Sequence, residues 1–141
     1  MKYFVMSLAS FMFTFTLFSK EIIIDMLNKR DDGERMVYSQ DVVKVATGDS
    51  IKWLPTDPGH NVEFLAGPNG VELPPKSYIN KEFSMKFNTP GMYLYVCSPH
   101  SIMGMIGIVV VGDDISNKKT IADYDIGGRA NRKLKELLKD I

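Results

Sequence analysis

"VCSPHSIMGM", residues 96–105, joins two apolar runs of β type and contains the chain's one cysteine. His100 follows Cys97 by three residues across Pro99, and the methionines Met103 and Met105 come next. A cysteine that is alone in its chain cannot form an internal disulfide, so it is a buried side chain, an intermolecular bridge or a thiol kept for chemistry. The residues around Cys97 favour chemistry.

His60 is the chain's other histidine, and it also lies beside turn residues, in "DPGHNV". Alone, each histidine would be read as an ordinary half-exposed side chain. Together with Cys97 and a methionine, they provide two imidazoles, a thiolate and a weak axial thioether, which is the ligand set of a blue copper site. Zinc accepts the same thiolate and imidazoles, and at this point either Met103 or Met105 could supply the thioether.

Residues 1–19 have the layout of a cleaved secretory signal peptide, because Lys2 precedes seventeen uncharged, mostly apolar residues before Lys20. Hydroxyl residues dilute this segment, and an anchor needs about 20 predominantly apolar residues, so we expect cleavage. The rest is long enough for one domain with its own core. Without Lys2 it has 16 basic and 17 acidic residues, a balance that does not suggest nucleic acid as a partner.

Short β-type runs bounded by turn residues extend from Ile22 to Val111 and predict an all-β, antiparallel sandwich or barrel. The turn "NTPG", in which Pro90 sets φ and Gly91 accepts a positive φ, is expected to fold "KEFSMKF" back against "MYLYVC". The predicted strands are "EIIIDMLN", "DVVKVATGD", "SIKWLP", "HNVEFL", "KEFSMKF", "GMYLYVC" and "GMIGIVVVG".

The composition changes after Gly112, where helical spacing replaces the β-type runs. Leu134, Leu137, Leu138 and Ile141 form the stripe of an amphipathic helix, and a weaker helix is predicted around residues 114–123. A stripe of about two turns favours packing on the sandwich over membrane binding. We therefore expect a sandwich over residues 20–112 and a helical extension over residues 113–141.

Three stretches and the helical tail resemble the cupredoxins, and among them the pseudoazurin group. The stretches are "IIIDMLNKRDDGERMVYS", "GDSIKWLPTDPGHNVEF" and "FNTPGMYLYVCSPHSIMGMIGIVVVG". The resemblance extends from about Ile22 to the C-terminus. It implies the Greek-key cupredoxin fold with two C-terminal helices, one type 1 copper ion per chain, and a periplasmic electron carrier rather than an enzyme.

The resemblance also implies the ligands, with His60, Cys97 and His100 as the strong ones. Amicyanin, which lacks a helical tail like this one, uses a methionine six residues after the cysteine, whereas pseudoazurin has methionines six and eight residues after it and uses the second. The axial ligand is therefore expected to be Met105, and Met103 is expected to lie on the surface beside the copper.

Three further residues match positions that surround the copper ligands in the family. Asn28 and Asn61 match asparagines that hold the site and the thiolate in place, and Met36 matches a methionine that packs near the exposed histidine ligand. Groups of this kind orient metal ligands and tune the metal's potential.

As the resemblance implies, the edge of His100 is the electron port, within a docking patch that includes Pro99, Ile102 and Met103. Pseudoazurins typically surround this patch with lysines, and Lys29 fits that pattern, as does Lys76. The encounters implied are transient, with electrostatics steering the approach.

The sequence departs from the family at two positions near the ligands. Val96 and Pro58 stand where lysine is common in the family. Fewer lysines therefore surround the docking patch, which disfavours docking to a strongly acidic partner. The partners implied are copper nitrite reductase, c-type cytochromes or other periplasmic oxidoreductases. The mature chain is expected to be a monomer without membrane insertion.

Two other functions are compatible with the same residues. A periplasmic copper carrier or buffer without a redox role would also bind copper, although such proteins favour open, exchangeable sites. A catalytic thiol would make Cys97 a nucleophile activated by His100, but no third group that would orient His100 is evident.

Overall fold

The computed structural model describes residues 19–141, which form two β-sheets followed by two short helices. The strands are β1 (Glu21–Lys29), β2 (Arg35–Tyr38), β3 (Val42–Val45), β4 (Ser50–Leu54), β5 (Glu63–Ala66), β6 (Phe83–Lys86), β7 (Gly91–Val96) and β8 (Ile106–Val111). The helices are α1 (Lys118–Ala122) and α2 (Gly128–Leu137), and 3-10 helices cover Ser98–Met103 and Leu138–Asp140. The predicted sandwich with two C-terminal helices is confirmed.

Both sheets are mixed, whereas the sequence predicted antiparallel pairing throughout. One sheet has the strand order β2-β1-β4-β6 and the other has the order β3-β8-β7-β5. Within them β1 is parallel to β4, and β3 is parallel to β8. Parallel partners cannot be joined by a tight hairpin, and here the chain visits other strands between them. The prediction was wrong because alternation of apolar residues carries no information about strand direction.

The core between the sheets is rich in aromatic side chains. Tyr38, Trp53 and Tyr95 are fully buried. The ring centroid of Tyr95 lies 5.3 Å from that of Trp53 and 4.8 Å from that of Tyr38, and each such pair contributes about 0.5–1.5 kcal/mol beyond the burial of its area. Cys97 and Met105 belong to the same buried cluster, so the candidate site is built directly onto the core.

Strands β7 and β8 are buried along their whole length. One face of each strand meets the core between the sheets, and the other is covered by the C-terminal segment through Ile121, Leu134 and Leu138. Burial of both faces explains why these strands are uninterrupted apolar runs without alternation. The predicted stripe on the last helix therefore packs against the sandwich, as expected.

Ion pairs also join α2 to the sandwich. The Lys133 ammonium lies 2.7 Å from one carboxylate oxygen of Asp41, and the Arg30 guanidinium lies 3.0 Å from the other. Arg129 pairs with Glu34 at 2.6 Å. Exposed pairs contribute only about 0.2–1 kcal/mol each, but the Asp41 carboxylate is largely buried and links three segments of the chain.

One local prediction was wrong, and one strand was not predicted. The "NTPG" turn does not form a hairpin, because β6 pairs with β4 while β7 pairs with β5 and β8. The segment that begins at Phe87 instead crosses from one sheet to the other, and Gly91, with φ of 130°, has the ring of Pro68 where a Cβ would lie. Strand β2 was not predicted, since it has four residues and Met36 interrupts its extended backbone with φ of 51°.

The predicted signal peptide, residues 1–19, lies outside the described residues except for Ser19. Ser19 donates a hydrogen bond from its hydroxyl to the carbonyl of Gly48 at 2.6 Å, and the backbone N–H of Lys20 donates to Asp49 at 2.8 Å. The described chain is thus joined to the sandwich from its first residues. Within residues 19–141, none of the helices combines the length and apolar character needed to cross a membrane.

We predict that Asn117→Ala lowers the free energy of unfolding by about 2–4 kcal/mol, because two buried backbone groups lose their partners. The Asn117 side chain accepts from the N–H of Met92 at 2.9 Å and donates to its carbonyl at 2.8 Å, which ties the C-terminal segment to β7. Urea unfolding of the metal-free protein, followed by Trp53 fluorescence, measures the change. Asn69→Ala, at an exposed position, is the control, and an equal loss there would contradict the role of Asn117.

Candidate metal centre

The 97–105 loop connects β7 to β8 and is closed by its own backbone hydrogen bonds. The N–H of Cys97 donates to the carbonyl of Met105 at 3.0 Å, and the N–H of Met105 donates to the carbonyl of His100 at 3.2 Å. Within the turn, the N–H of His100 donates to the carbonyl of Cys97 at 3.0 Å. Pro99, which has no N–H to satisfy, is the second residue of the 3-10 helix. The loop therefore holds its cysteine, histidine and second methionine in one tight turn.

His60, Cys97 and His100 converge on one point. Cys97 Sγ lies 3.6 Å from His60 Nδ1 and 3.5 Å from His100 Nδ1, and the two Nδ1 atoms are 3.2 Å apart. Their donor atoms all lie within 4.8 Å of one another. His60 precedes β5, so strands β5 and β7 bring together three residues that are far apart or separated by a turn in the sequence.

Asn28 fixes the tautomer of His60. Asn28 Oδ1 lies 2.9 Å from His60 Nε2, and because a carbonyl oxygen can only accept, Nε2 carries the ring proton. His60 Nδ1 is then unprotonated and directs its lone pair toward Cys97 and His100. A hydrogen bond at the second ring nitrogen is typical of metal-binding histidines. Since Asn28 belongs to β1, this bond also connects the site to the other sheet.

Burial sets the protonation of the three donor groups. It lowers the pKa of His60, which the charge of His100 lowers further, and it lowers the pKa of His100. Both imidazoles are therefore neutral at neutral pH. Burial raises the pKa of the Cys97 thiol, while the backbone N–H groups of Asn61 and His100 oppose that rise. The thiol keeps its proton until a cation displaces it.

The two methionines of the loop have different surroundings. Met105 is fully buried in the same cluster as Cys97, and its carbonyl accepts the hydrogen bond from the Cys97 N–H. Met103 is 48% exposed. An axial thioether must lie beside the strong ligands, so the burial of Met105 next to Cys97 agrees with the choice made from the resemblance.

The Asn61 side chain joins the segment that carries His60 to the segment that carries Cys97. Its Oδ1 accepts from the N–H of Ser98 at 2.8 Å, and its Nδ2 donates to Ser98 Oγ at 3.0 Å and to the carbonyl of Ser77 at 3.2 Å. Its own carbonyl accepts from the Tyr38 hydroxyl at 2.9 Å. Asn61 was predicted from the sequence, but its partners Ser98 and Ser77 were not, because no motif indicates them.

The structure places Met36 and Lys29 in less directly connected positions. Met36 is half-buried and packs against the cluster that contains Cys97 and Met105. The register of β1 and β2 sets Met36 opposite Asn28. Lys29 is exposed at the end of β1, directly after Asn28. Both residues therefore lie near the strand end that supports His60.

Exposed apolar side chains belong to two segments next to the three converging residues. Ile102, at 62% exposure, and Met103 belong to the 97–105 loop, where Pro99 is also exposed. Tyr78, at 84%, and Ile79, at 51%, belong to the segment 77–80, whose backbone is hydrogen-bonded to that of His60. Four of the large apolar residues that the structure leaves exposed thus lie on these two segments, and we call Tyr78, Ile79, Ile102 and Met103 the apolar rim.

The segment formed by residues 77–80 is fixed beside His60. The N–H of Asn80 donates to the carbonyl of His60 at 3.0 Å, and the N–H of Gly59 donates to Asn80 Oδ1 at 2.6 Å. The N–H of Ser77 donates to the carbonyl of Val62 at 2.8 Å. The sequence does not predict this placement, because the contacts that bring the segment to His60 are tertiary.

Helix α2 begins against the 97–105 loop. A Cβ on Gly128, whose φ is 57°, would overlap the backbone of Ile102, so only glycine permits this approach. The side chain of Arg129 passes 3.5 Å from the position that a Cβ on Gly104 would occupy. The first turn of α2 is therefore in direct contact with the loop that carries the candidate ligands.

The donor set fits copper. Two neutral imidazole nitrogens, a thiol that can ionise and a buried thioether are the groups that type 1 copper sites use, and the soft sulfur donors favour copper over hard cations such as magnesium or calcium. His60, Cys97, His100 and Met105 have the arrangement of a type 1 copper site.

Comparisons with known proteins agree with this arrangement. The family described as copper binding proteins, plastocyanin/azurin family, matches residues 24–112. Pseudoazurin of Methylorubrum extorquens is 37% identical over 123 residues, which cover 86% of this chain and 82% of that protein. A putative pseudoazurin of Rhizobium leguminosarum bv. viciae is 38% identical, over 79% of this chain and 73% of that protein.

The structural comparison gives the same result. The crystal structure of native pseudoazurin from Hyphomicrobium denitrificans matches with a TM-score of 0.80 at 36% identity, covering 86% of this chain and 98% of that one. The resemblance that the sequence suggested is thus confirmed in both sequence and fold. The chain belongs to the plastocyanin/azurin family of copper-binding proteins and, within it, to the pseudoazurins.

Proposed function

We propose that the chain is a periplasmic electron carrier with one type 1 copper ion, held strongly by His60, Cys97 and His100 and weakly by Met105. The observation that carries the proposal is the convergence of Cys97 Sγ with the two histidine Nδ1 atoms, at 3.5 and 3.6 Å. When bound, copper supplies a one-electron couple between Cu(I) and Cu(II). The chain's own residues hold the donor atoms and exclude water from them.

The fixed positions of these donor atoms favour rapid electron transfer. The tautomer of His60 is set by Asn28, the loop from Cys97 to Met105 is closed by its own hydrogen bonds, and Cys97 is fully buried. Ligands that are held by the fold rearrange little when the metal changes its charge. A small rearrangement lowers the barrier to electron transfer, as a pre-organised site requires.

Electrons would enter and leave through His100, which is half-buried and belongs to the loop that carries Ile102 and Met103 of the apolar rim. Such a rim suits brief contacts with other redox proteins, whose interfaces are small. The charge distribution of the chain also suits a partner that is not strongly acidic. Lysine is absent at positions 58 and 96, and the net charge of residues 20–141 is nearly balanced. Lys29 and Lys76, both exposed, would supply the remaining positive charge.

The partners that the family implies are copper nitrite reductase, c-type cytochromes and other periplasmic oxidoreductases. Each would meet a monomer of this chain in a transient complex. Export to the periplasm rests on residues 1–19, whose single basic residue and apolar run have the layout of a cleaved signal peptide. Residues 20–112 would then form the copper-binding sandwich, with residues 113–141 as its helical extension.

We predict that adding Cu(II) to the protein without residues 1–19 produces an intense blue thiolate-to-copper absorption band, and that Cys97→Ser abolishes it. The reason is that the band requires the Cys97 sulfur as a ligand. Visible and electron paramagnetic resonance spectra measure both results. A band that persists in Cys97→Ser would overturn the ligand assignment, while a colourless copper complex that loses its metal rapidly to a chelator would favour the copper carrier.

The axial assignment predicts different effects for two otherwise matched variants. Met105→Leu should raise the reduction potential, because loss of a thioether donor weakens Cu(II) binding more than Cu(I) binding. A tenfold difference corresponds to ~59 mV for a one-electron couple. Met103→Leu is the control and should shift the potential only slightly. Voltammetry of both variants tests this, and the reverse order would assign the ligand to Met103.

The apolar rim should control the rate of electron transfer to a partner. Tyr78→Ala and Ile102→Ala are each predicted to lower the second-order rate about fivefold, which corresponds to a loss of about 1 kcal/mol. Stopped-flow oxidation of the reduced protein by a c-type cytochrome or a copper nitrite reductase measures the rate. Ile115→Ala, at an exposed site in the C-terminal segment, is the control, and equal rates for all three variants would contradict docking at the rim.

A further inference from the structure

Glu63 reaches the loop that carries Cys97. It is the first residue of β5, and the register pairs it with Val96 of β7. Its carboxylate oxygen Oε2 lies 2.6 Å from Ser98 Oγ. An ionised carboxylate can only accept hydrogen bonds, so the Ser98 hydroxyl is the donor. This bond places a charged side chain one residue away from the cysteine of the copper site.

The carboxylate of Glu63 imposes a direction on the hydrogen bonds that follow it. A serine hydroxyl has one proton to donate, so the Ser98 hydroxyl, once it donates to Glu63, can only accept from Asn61 Nδ2 at 3.0 Å. The amide of Asn61 is then oriented with Oδ1 toward the N–H of Ser98, at 2.8 Å. The carboxylate at the start of this chain of bonds therefore supports the orientation of Asn61 that the N–H of Ser98 and the carbonyl of Ser77 also require.

Asn61 is also next to the cysteine. Its backbone N–H opposes the rise in the pKa of the Cys97 thiol that burial causes. Ser98 is covalently next to Cys97, and His60 is covalently next to Asn61. The hydrogen-bonded path from Glu63 thus ends at the two segments that supply the sulfur and one imidazole.

The charge of Glu63 is also close enough to matter. The side chain is half-buried, and among the ion pairs formed within residues 19–141 none includes Glu63. Charges near a partly buried site interact at an effective dielectric constant of roughly 20 rather than 80. A negative charge at this place stabilises Cu(II) relative to Cu(I), because the oxidised ion carries one more positive charge.

We propose that Glu63 is a positioning residue of the copper site, which orients Asn61 through Ser98 and lowers the reduction potential by its charge. This inference rests on the proposed function, since it concerns the copper site that the function requires. Glu63 lies outside the ligand set. Its role has a geometric part, the orientation of Asn61 through Ser98, and an electrostatic part, the effect of its negative charge on the copper ion.

Substitution of Glu63 can separate the two parts. In Glu63→Gln the amide oxygen still accepts from Ser98, so the blue band should keep its position while the equilibrium shifts toward Cu(I) by about tenfold, which is ~59 mV for a one-electron couple. Glu63→Ala removes the acceptor as well and should also alter the blue band. Glu21→Gln is the matched control, because Glu21 is exposed at the far end of β1 and should leave the potential unchanged.

Metal-free protein provides a readout that does not depend on copper. The side-chain amide protons of Asn61 should exchange slowly with solvent in the unaltered protein and in Glu63→Gln, but faster in Glu63→Ala and Ser98→Ala, as measured by NMR. Ser98→Thr, which keeps the hydroxyl, should restore slow exchange. If Glu63→Gln and Glu21→Gln have the same potential, and exchange is the same in all variants, the inference about Glu63 is overturned. Absence of the blue band from the unaltered protein would instead overturn the proposed function.

Discussion

The pair of hydrogen bonds between Asn61 and Ser98 is the interaction on which the rest of the site depends. One segment carries His60 and the other carries Cys97 and His100. No disulfide cross-links them, because the chain has a single cysteine. The amide of Asn61 connects them through its carbonyl and its NH₂ group at once, which fixes both distance and rotation. With the segments joined, the three donor atoms are close together before any metal contributes. Metal binding then needs little ordering of the chain, which lowers its entropic cost.

The surrounding fold explains why that pair of bonds can be maintained. Strand β7 ends at Val96 with both faces buried, so Cys97 leaves the strand in a fixed direction. On one side lies the aromatic core around Tyr95, and on the other lies the C-terminal segment. The Tyr38 hydroxyl is held in that core. It fixes the backbone of Asn61 by donating a hydrogen bond to the Asn61 carbonyl. The rigidity of the core is thereby transmitted to the copper site, since packed interiors deform little.

Sequence reasoning recovered those features that depend on local pattern. Apolar runs indicated the strands, the stripe through Leu134 and Leu138 indicated a packed helix, and the lone cysteine beside His100 indicated the loop. It did not recover features that depend on packing between residues far apart in the sequence. The direction of β1 relative to β4, the crossing after Phe87 and the placement of Asn80 beside His60 all depend on contacts between distant segments. Met103 and Met105 have identical chemistry, and the family resemblance favoured the one that the structure buries.

The contact between α2 and the loop has a consequence for the variety of loops that this fold can carry. Gly128 lies so close to Ile102 that no side chain fits between them, and Arg129 lies alongside Gly104. Inserting residues between Cys97 and Met105 would push the loop into the first turn of this helix, whose position is held by Leu134 and by the pair of Lys133 with Asp41. The C-terminal helix therefore limits the number of residues between the cysteine and the buried methionine. Exchange of this loop for a longer one would require compensating changes some thirty residues further along the chain.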